Sequence, residues 1–307
     1  MTRFLNRGLL LAGLAVTVTA TMTGPAIASD GGHGPHGGSR DGSHCPKSSY
    51  LYHYGKDGLT AIGLTLDQKL IKFDVRKPDK AYEIGEVAGL EGDDHHLVGI
   101  DYRVQDDELY GVGDAGGVYV LSACKATATK VSQLTVELDG SHFGVDFNPA
   151  ADRLRVISDT GQNLRHDVNS GGATVVDGSL IYPPATVTAE GLTGAAYTNN
   201  DLSPETATTL FDIDTHLDQV AIQSPANAGS LAATGVLRVD AGIQAGFDIY
   251  STNHGERTVK LDGFATLEVD GRSKLYQIEL LVGDADELGS FANEYLVTDL
   301  ALPLDQN

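Results

Sequence analysis

The sequence predicts an all-β protein: a β-propeller of five blades, four strands to a blade, closed into a ring by the C-terminal strand, with six blades as the second choice. Three observations carry this. Beyond Gly58 helical periodicity nearly disappears, and short alternating strands recur between Gly, Asp and Asn turns. Five hairpins begin at residues 60, 108, 153, 208 and 264, a spacing of 45 to 56 residues that suits four-stranded blades and that a sandwich would not need. A leading strand precedes each hairpin except the first, and the C-terminal YLVTDLAL looks like the missing one.

The elements follow in chain order. Residues 1–28 join a basic start (Arg3, Arg7) to the apolar run LLLAGLAV and the small-residue exit Ala26-Ile27-Ala28, the grammar of a secretory signal peptide. Thr and Gly break the run before the ~20 residues a membrane span needs, and no Cys follows to accept a lipid. Residues 29–57 are a Gly-rich linker holding His33, His36 and His44; a loose metal site there would lose a large ordering entropy. Residues 58–304 are the propeller domain. The chain has two cysteines, Cys45 in the linker and Cys124 in the body. In an oxidising exterior such a pair is expected to bridge, closing 79 residues and contributing roughly 4 kcal/mol by chain entropy.

The hairpins are TAIGLTLDQKLIKFDV (60–75), ELYGVGDAGGVYVLS (108–122), RLRVISDTGQNLRHDV (153–168), TTLFDIDTHLDQVAIQS (208–224) and FATLEVDGRSKLYQIEL (264–280). The leading strands start at LVGIDY (97–102), HFGVDF (142–147), LTGAAY (192–197) and AGFDIY (245–250). A ring sewn shut by both ends has no open sheet edge. The fourth and fifth repeats run long, which keeps six blades as the alternative.

Composition narrows the function classes. With 41% apolar and 21% charged residues a core can be buried, and disorder is not forced. Net charge is −21, and loss of the leader's two arginines makes it more negative still. Such a field repels phosphate backbones and anionic membranes, so cations or basic surfaces are the expected partners, with no nucleic acid and no membrane span after signal removal.

Motifs for chemistry are sparse. GVGDAG (111–116) has dinucleotide-fingerprint spacing but leads into the β-rich VYVLS rather than a helix, so it reads as a hairpin turn. No HExxH, GxSxG, P-loop or CxxC is present. Asp212, Asp214 and Asp218, and Asp284, Asp286 and Glu287, lack EF-hand spacing and read as solvated turn acids. His95 and His96 point to opposite faces if extended, which suits one ligand at most. Arg153, Arg155 and Arg165 among Asp152, Asp159 and Asp167 read as charge pairs between strands, with an anion clamp as the alternative. The absence of Trp weakens a sugar-binding reading, although Tyr can substitute.

Four carboxylates are the best functional clue. Asp101, Asp146, Asp248 and Asp299 hold the same place in GIDY, GVDF, GFDI and VTDL, with Ala196 breaking the set in GAAY. If these strands are innermost, four carboxylates meet at one level around the axis. A bound cation, protonation or neighbouring donors must then offset their repulsion, and calcium is the candidate metal for such an oxygen-rich site. The alternative is that each Asp only ties blade to blade.

The runs AIGLTLDQKLIKFDV, LVGIDYR, ELYGVG, FGVDFNPAADRLRVISDTGQNLRHD, GAAYTNN and TTLFDID resemble the secreted bacterial family called domain of unknown function 4394, over about residues 60–300. The resemblance implies a propeller-like secreted domain and brings no activity or catalytic residues. Cys124 and the His-rich linker fall outside it. The expected function is therefore an extracellular, non-enzymatic binding or interaction module. The alternative is a metal-dependent hydrolase or lactonase with carboxylates at the channel mouth.

Overall fold

Among the described residues, alternating apolar residues and tight turns give twenty strands. They are β1 (Thr60–Thr65), β2 (Lys69–Asp74), β3 (Tyr82–Glu86), β4 (Leu97–Arg103), β5 (Glu108–Gly113), β6 (Gly117–Leu121), β7 (Ala128–Gln133), β8 (Phe143–Asn148), β9 (Arg153–Ser158) and β10 (Asn163–His166). Then follow β11 (Thr174–Val176), β12 (Leu192–Tyr197), β13 (Leu210–Asp214), β14 (Gln219–Gln223), β15 (Leu231–Val236), β16 (Ala245–His254), β17 (Arg257–Val269), β18 (Arg272–Ile278), β19 (Ala285–Ser290) and β20 (Val297–Ala301). The computed structural model describes residues 58–255 and 257–304. Cys45, the leader and the linker to residue 57 lie outside them, and with them the expected Cys45–Cys124 bridge.

The strands form five antiparallel sheets of four: β20-β1-β2-β3, β4 to β7, β8 to β11, β12 to β15, and β16 to β19. Five blades, not six, are present, and the C-terminal strand supplies the inner strand of the first, as expected. The extra length of the last repeats goes into the connections 177–191 and 198–209 around β12 and into the long β16–β17 hairpin, not into another blade. Hairpin turns are closed by Gln68, Asp107, Asp152, Asp218 and Asp270, all at positive φ, and four of the five are Asp, whose short polar side chain tolerates that conformation.

The inner strands β4, β8, β12, β16 and β20 pack side by side around the axis, and β20 meets β4. Their approach depends on glycine. A Cβ at Gly144 would stand 2.6 Å from the Ala195 nitrogen, and one at Gly246 would collide with the Asp299 Cα. Apolar side chains from adjacent blades form five clusters, one per blade–blade junction. Val297, Leu300 and Leu302, for example, pack with Phe73 of the first blade and Phe264 and Leu275 of the fifth.

Candidate functional site

The ring of acids is an inter-blade stitch, and its register differs from the sequence alignment. Asp101 Oδ2 accepts the Phe147 N–H at 2.7 Å, Asp146 Oδ1 the Tyr197 N–H at 3.1 Å, and Asp248 Oδ2 the Leu302 N–H at 2.6 Å. Each bond reaches the neighbouring inner strand one residue past its matching position. Asp101 pairs with Tyr110 and Ala301 with Ile62 at the same place in their blades, so Ala301, not Asp299, matches Asp101. Asp299 sits two residues nearer the start of the strand, level with Gly99 and Gly246, and its Oδ2 accepts the Ile100 N–H at 2.8 Å. The expectation of four carboxylates at one level is thus corrected to three, with oxygens of Asp101, Asp146 and Asp248 all within 4.8 Å of one another.

Four of the five inner-strand junctions carry such a stitch. At the β12–β16 junction, where Ala196 replaces the acid, the Asn200 N–H donates to Ser251 Oγ at 2.9 Å instead.

All four acids are buried, and burial is the main reason they resist ionisation. For Asp101 the Asp248 carboxylate adds to burial, and the N–H groups of Phe147 and Tyr102 oppose it; the result lies well above the usual range. Asp146 is pushed up by burial and then by Asp101 and Asp248. Asp248 is pushed up to about 7 by burial, against the N–H groups of Leu302 and Ile249. A carboxyl protonated when folded and ionised when unfolded withdraws stability as pH rises. In chelator, the urea midpoint is therefore expected to fall from about pH 4 to about pH 7, the interval between the ordinary carboxyl value of 3.8 and the folded value of Asp248. Asp248→Asn keeps an acceptor for the Leu302 N–H and should flatten that slope; an unchanged slope would refute the assignment.

The end of the ring where the inner strands begin is built differently. A cavity of about 100 Å³ opens there, lined by Gln68, His96, Ser141, His142, Thr193, Gln244 and Thr298 among others, with contributions from all five blades. Pairing irregularities at Leu97/Gly99, Leu192/Gly194 and Leu64/Thr65 occur at this end, where bulges re-aim side chains. His96 Nδ1 lies 3.2 Å from Asp114 Oδ2, and His142 Nδ1 lies 3.2 Å from Asp159 Oδ2. The pairs are equivalent: the Asp114 N–H donates to the His96 carbonyl and the Asp159 N–H to the His142 carbonyl, both at 2.9 Å. Burial raises the Asp114 carboxyl, but the His95 and His96 N–H groups outweigh it and hold the group below the usual range. A second cavity of about 510 Å³ at the same end is lined by Asp159, Gly191, Thr215, His216 and Ile243. Leu66, Leu217, Ile243 and Leu296 are exposed aliphatics at the same end.

Sequence reasoning named His95 and His96 together and Asp159 only as an arginine partner, and it missed His142 and Asp114. The available signal was an acid 17 or 18 residues after a histidine in two successive blades. The arginines are structural pairs: Arg153 with Asp167 at 3.0 Å, and Arg155 and Arg165 with Asp177, each at 2.7 Å. Asp212 and Asp214 are fully buried in β13 and are not solvated turn acids. GVGDAG closes the β5–β6 hairpin.

These features define a closed five-bladed β-propeller with a polar channel mouth. The chain belongs to the family described as Domain of unknown function (DUF4394), whose model matches residues 69–301. No curated protein matches the chain. Solved structures similar to it include an auxiliary nutrient binding protein from Bacteroides ovatus, at 12% identity and TM-score 0.36, over 70% of this chain and 55% of that one. A protein of unknown function from Bacteroides thetaiotaomicron is 11% identical at TM-score 0.43, over 80% of this chain and 65% of that one. The Myxococcus xanthus glutaminyl cyclase is 12% identical at TM-score 0.35, over 67% and 69%. The chain thus spans little more than half the length of the nutrient binding protein, and likeness at this level says nothing of activity. Among the described residues no helix is long and apolar enough to cross a membrane.

Proposed function

We propose that the protein is a secreted binding module that takes a small polar ligand at the channel mouth. One observation carries the reading: two equivalent His–Asp pairs, two cavities and exposed aliphatic side chains converge where the five inner strands begin. Small-molecule sites are concave, with a few convergent polar groups set among apolar ones, and this end has that character. The leader supports secretion.

A thermal-shift screen of amino acids, sugars and short peptides tests the reading. Ser141→Trp fills the mouth without removing the backbone N–H that Ser141 donates to Asp159. Compounds that raise the melting temperature of the parent should lose that effect in the variant. An unchanged effect, or no active compound, would overturn the reading.

A second reading, calcium held by Asp101, Asp146 and Asp248, is favoured by the 4.8 Å grouping of their oxygens. Calcium wants six to eight oxygen ligands, so waters or carbonyls would have to complete the shell. Calorimetry with calcium on the parent and on Asp101→Asn with Asp248→Asn separates it from stitching alone. The hydrolase or lactonase alternative is tested by an ester and lactone panel on metal-loaded protein.

A further inference from the structure

We infer that His96 and His142 form a site for a divalent transition metal ion of the zinc class, coordinated through their Nε2 atoms at the channel mouth. The inference rests on the mouth being the binding end proposed above, and it adds a metal ion there beside the organic ligand.

Metal-ligating imidazoles characteristically give their other ring N–H to a carboxylate, which fixes tautomer and ring orientation. His142 has that partner in Asp159, hydrogen-bonded at 3.2 Å, and the His96 Nδ1 lies at the same 3.2 Å ion-pair distance from Asp114. A carboxylate only accepts, so in the neutral ring the proton lies on Nδ1 and the Nε2 lone pair is left for a ligand. Among the described residues neither Nε2 meets a protein hydrogen-bond partner. His96 and His142 both line one cavity of about 100 Å³, with room for solvent to complete a tetrahedral shell.

The arrangement is local to two neighbouring blades. At the matching place the other three have Gly191, Gln244 and Leu296, whose carbonyls accept the same backbone bond from Thr215, Glu268 and Leu66. Ring closure therefore does not require the histidines. Imidazole nitrogen selects zinc-class ions over calcium or magnesium, and a net charge of −21 favours a cation over an anion.

To remove the competing imidazoles of the linker, the titration uses the full chain, untagged, carrying His33→Ala, His36→Ala and His44→Ala. Calorimetry with zinc chloride should give one site per chain. His96→Ala with His142→Ala should weaken it at least ~100-fold, and Asp114→Asn or Asp159→Asn by ~10-fold to 100-fold. Melting curves of the metal-free variants check the fold. Cobalt in place of zinc should give visible absorption bands that the double variant lacks. No heat at millimolar zinc, or zinc binding that survives in the double variant, would overturn the inference. If zinc fails while organic ligands remain sensitive to Ser141→Trp, the metal assignment falls and the binding end stands.

Discussion

Removal of residues 295–307 is expected to abolish cooperative unfolding. The deletion takes away β20, the inner strand of the first blade, and exposes the edge of β1 from Ile62 to Thr65. Val297, Leu300 and Leu302 leave the cluster between the fifth and first blades, each a loss of about 1.5–3 kcal/mol of apolar burial. Two stitches go with them, Asp248 to the Leu302 N–H and Asp299 to the Ile100 N–H. The buried Asp248 oxygen and Ile100 N–H then lack partners, at about 1–3 kcal/mol each. The total is comparable with the 5–15 kcal/mol that holds a typical domain together. Calorimetric melting and near-ultraviolet circular dichroism should show no sharp transition and no fixed aromatic environment. A truncated chain that melts like the parent would refute the closure.

Arg155→Met should cost about 3–5 kcal/mol, because it breaks a buried charged network between the third and fourth blades. Arg155 occupies the strand position held by Ile62, Tyr110, Phe211 and Phe264 in the other blades and is almost fully buried. Its guanidinium donates to Tyr197 Oη at 3.2 Å, Asn163 Oδ1 at 2.6 Å, Asp177 Oδ2 at 2.7 Å and Asn227 Oδ1 at 2.8 Å. Met fills similar volume and satisfies none of them; Asp177 keeps only Arg165 as a cationic partner. At about 2–4 °C per kcal/mol, the melting temperature should fall by roughly 10 °C.

Asp212, across the same junction, should respond with the opposite sign. Both its oxygens are buried without a hydrogen-bond partner, and burial raises its carboxyl well above the usual range despite Arg155. Asp212→Val introduces the residue that Val156 provides in the third blade and should stabilise by about 1–2 kcal/mol. Urea unfolding of both variants checks the pair of signs; loss of stability in Asp212→Val would mean that the carboxylate has a partner.

The architecture was legible because its signals are local. Period-two alternation in ELYGVG or RLRVIS, turn acids, and a repeat of 45 to 56 residues all follow from the geometry of single hairpins. The missing first inner strand pointed correctly to the C-terminus. The place of Asp299 was not legible. Shifting a strand by two residues preserves which side chains face which side, so the pattern of YLVTDLAL fits two registers. Pairing with β1 opposes Ala301, not Asp299, to Ile62. Asp212 and Asp214 read as turn acids because acids are common in turns; only the packing of the fourth blade on the third shows them buried. The His142–Asp159 pair joins a loop to the end of a strand, a contact that no local periodicity encodes.

Anomalous diffraction at the zinc edge, from crystals of the protein grown without chelator and soaked in zinc, locates the metal directly. One strong peak is expected at the channel mouth, within bonding distance of the Nε2 atoms of His96 and His142. A mouth without a peak, or zinc confined to Asp101, Asp146 and Asp248 in the interior, would contradict the assignment.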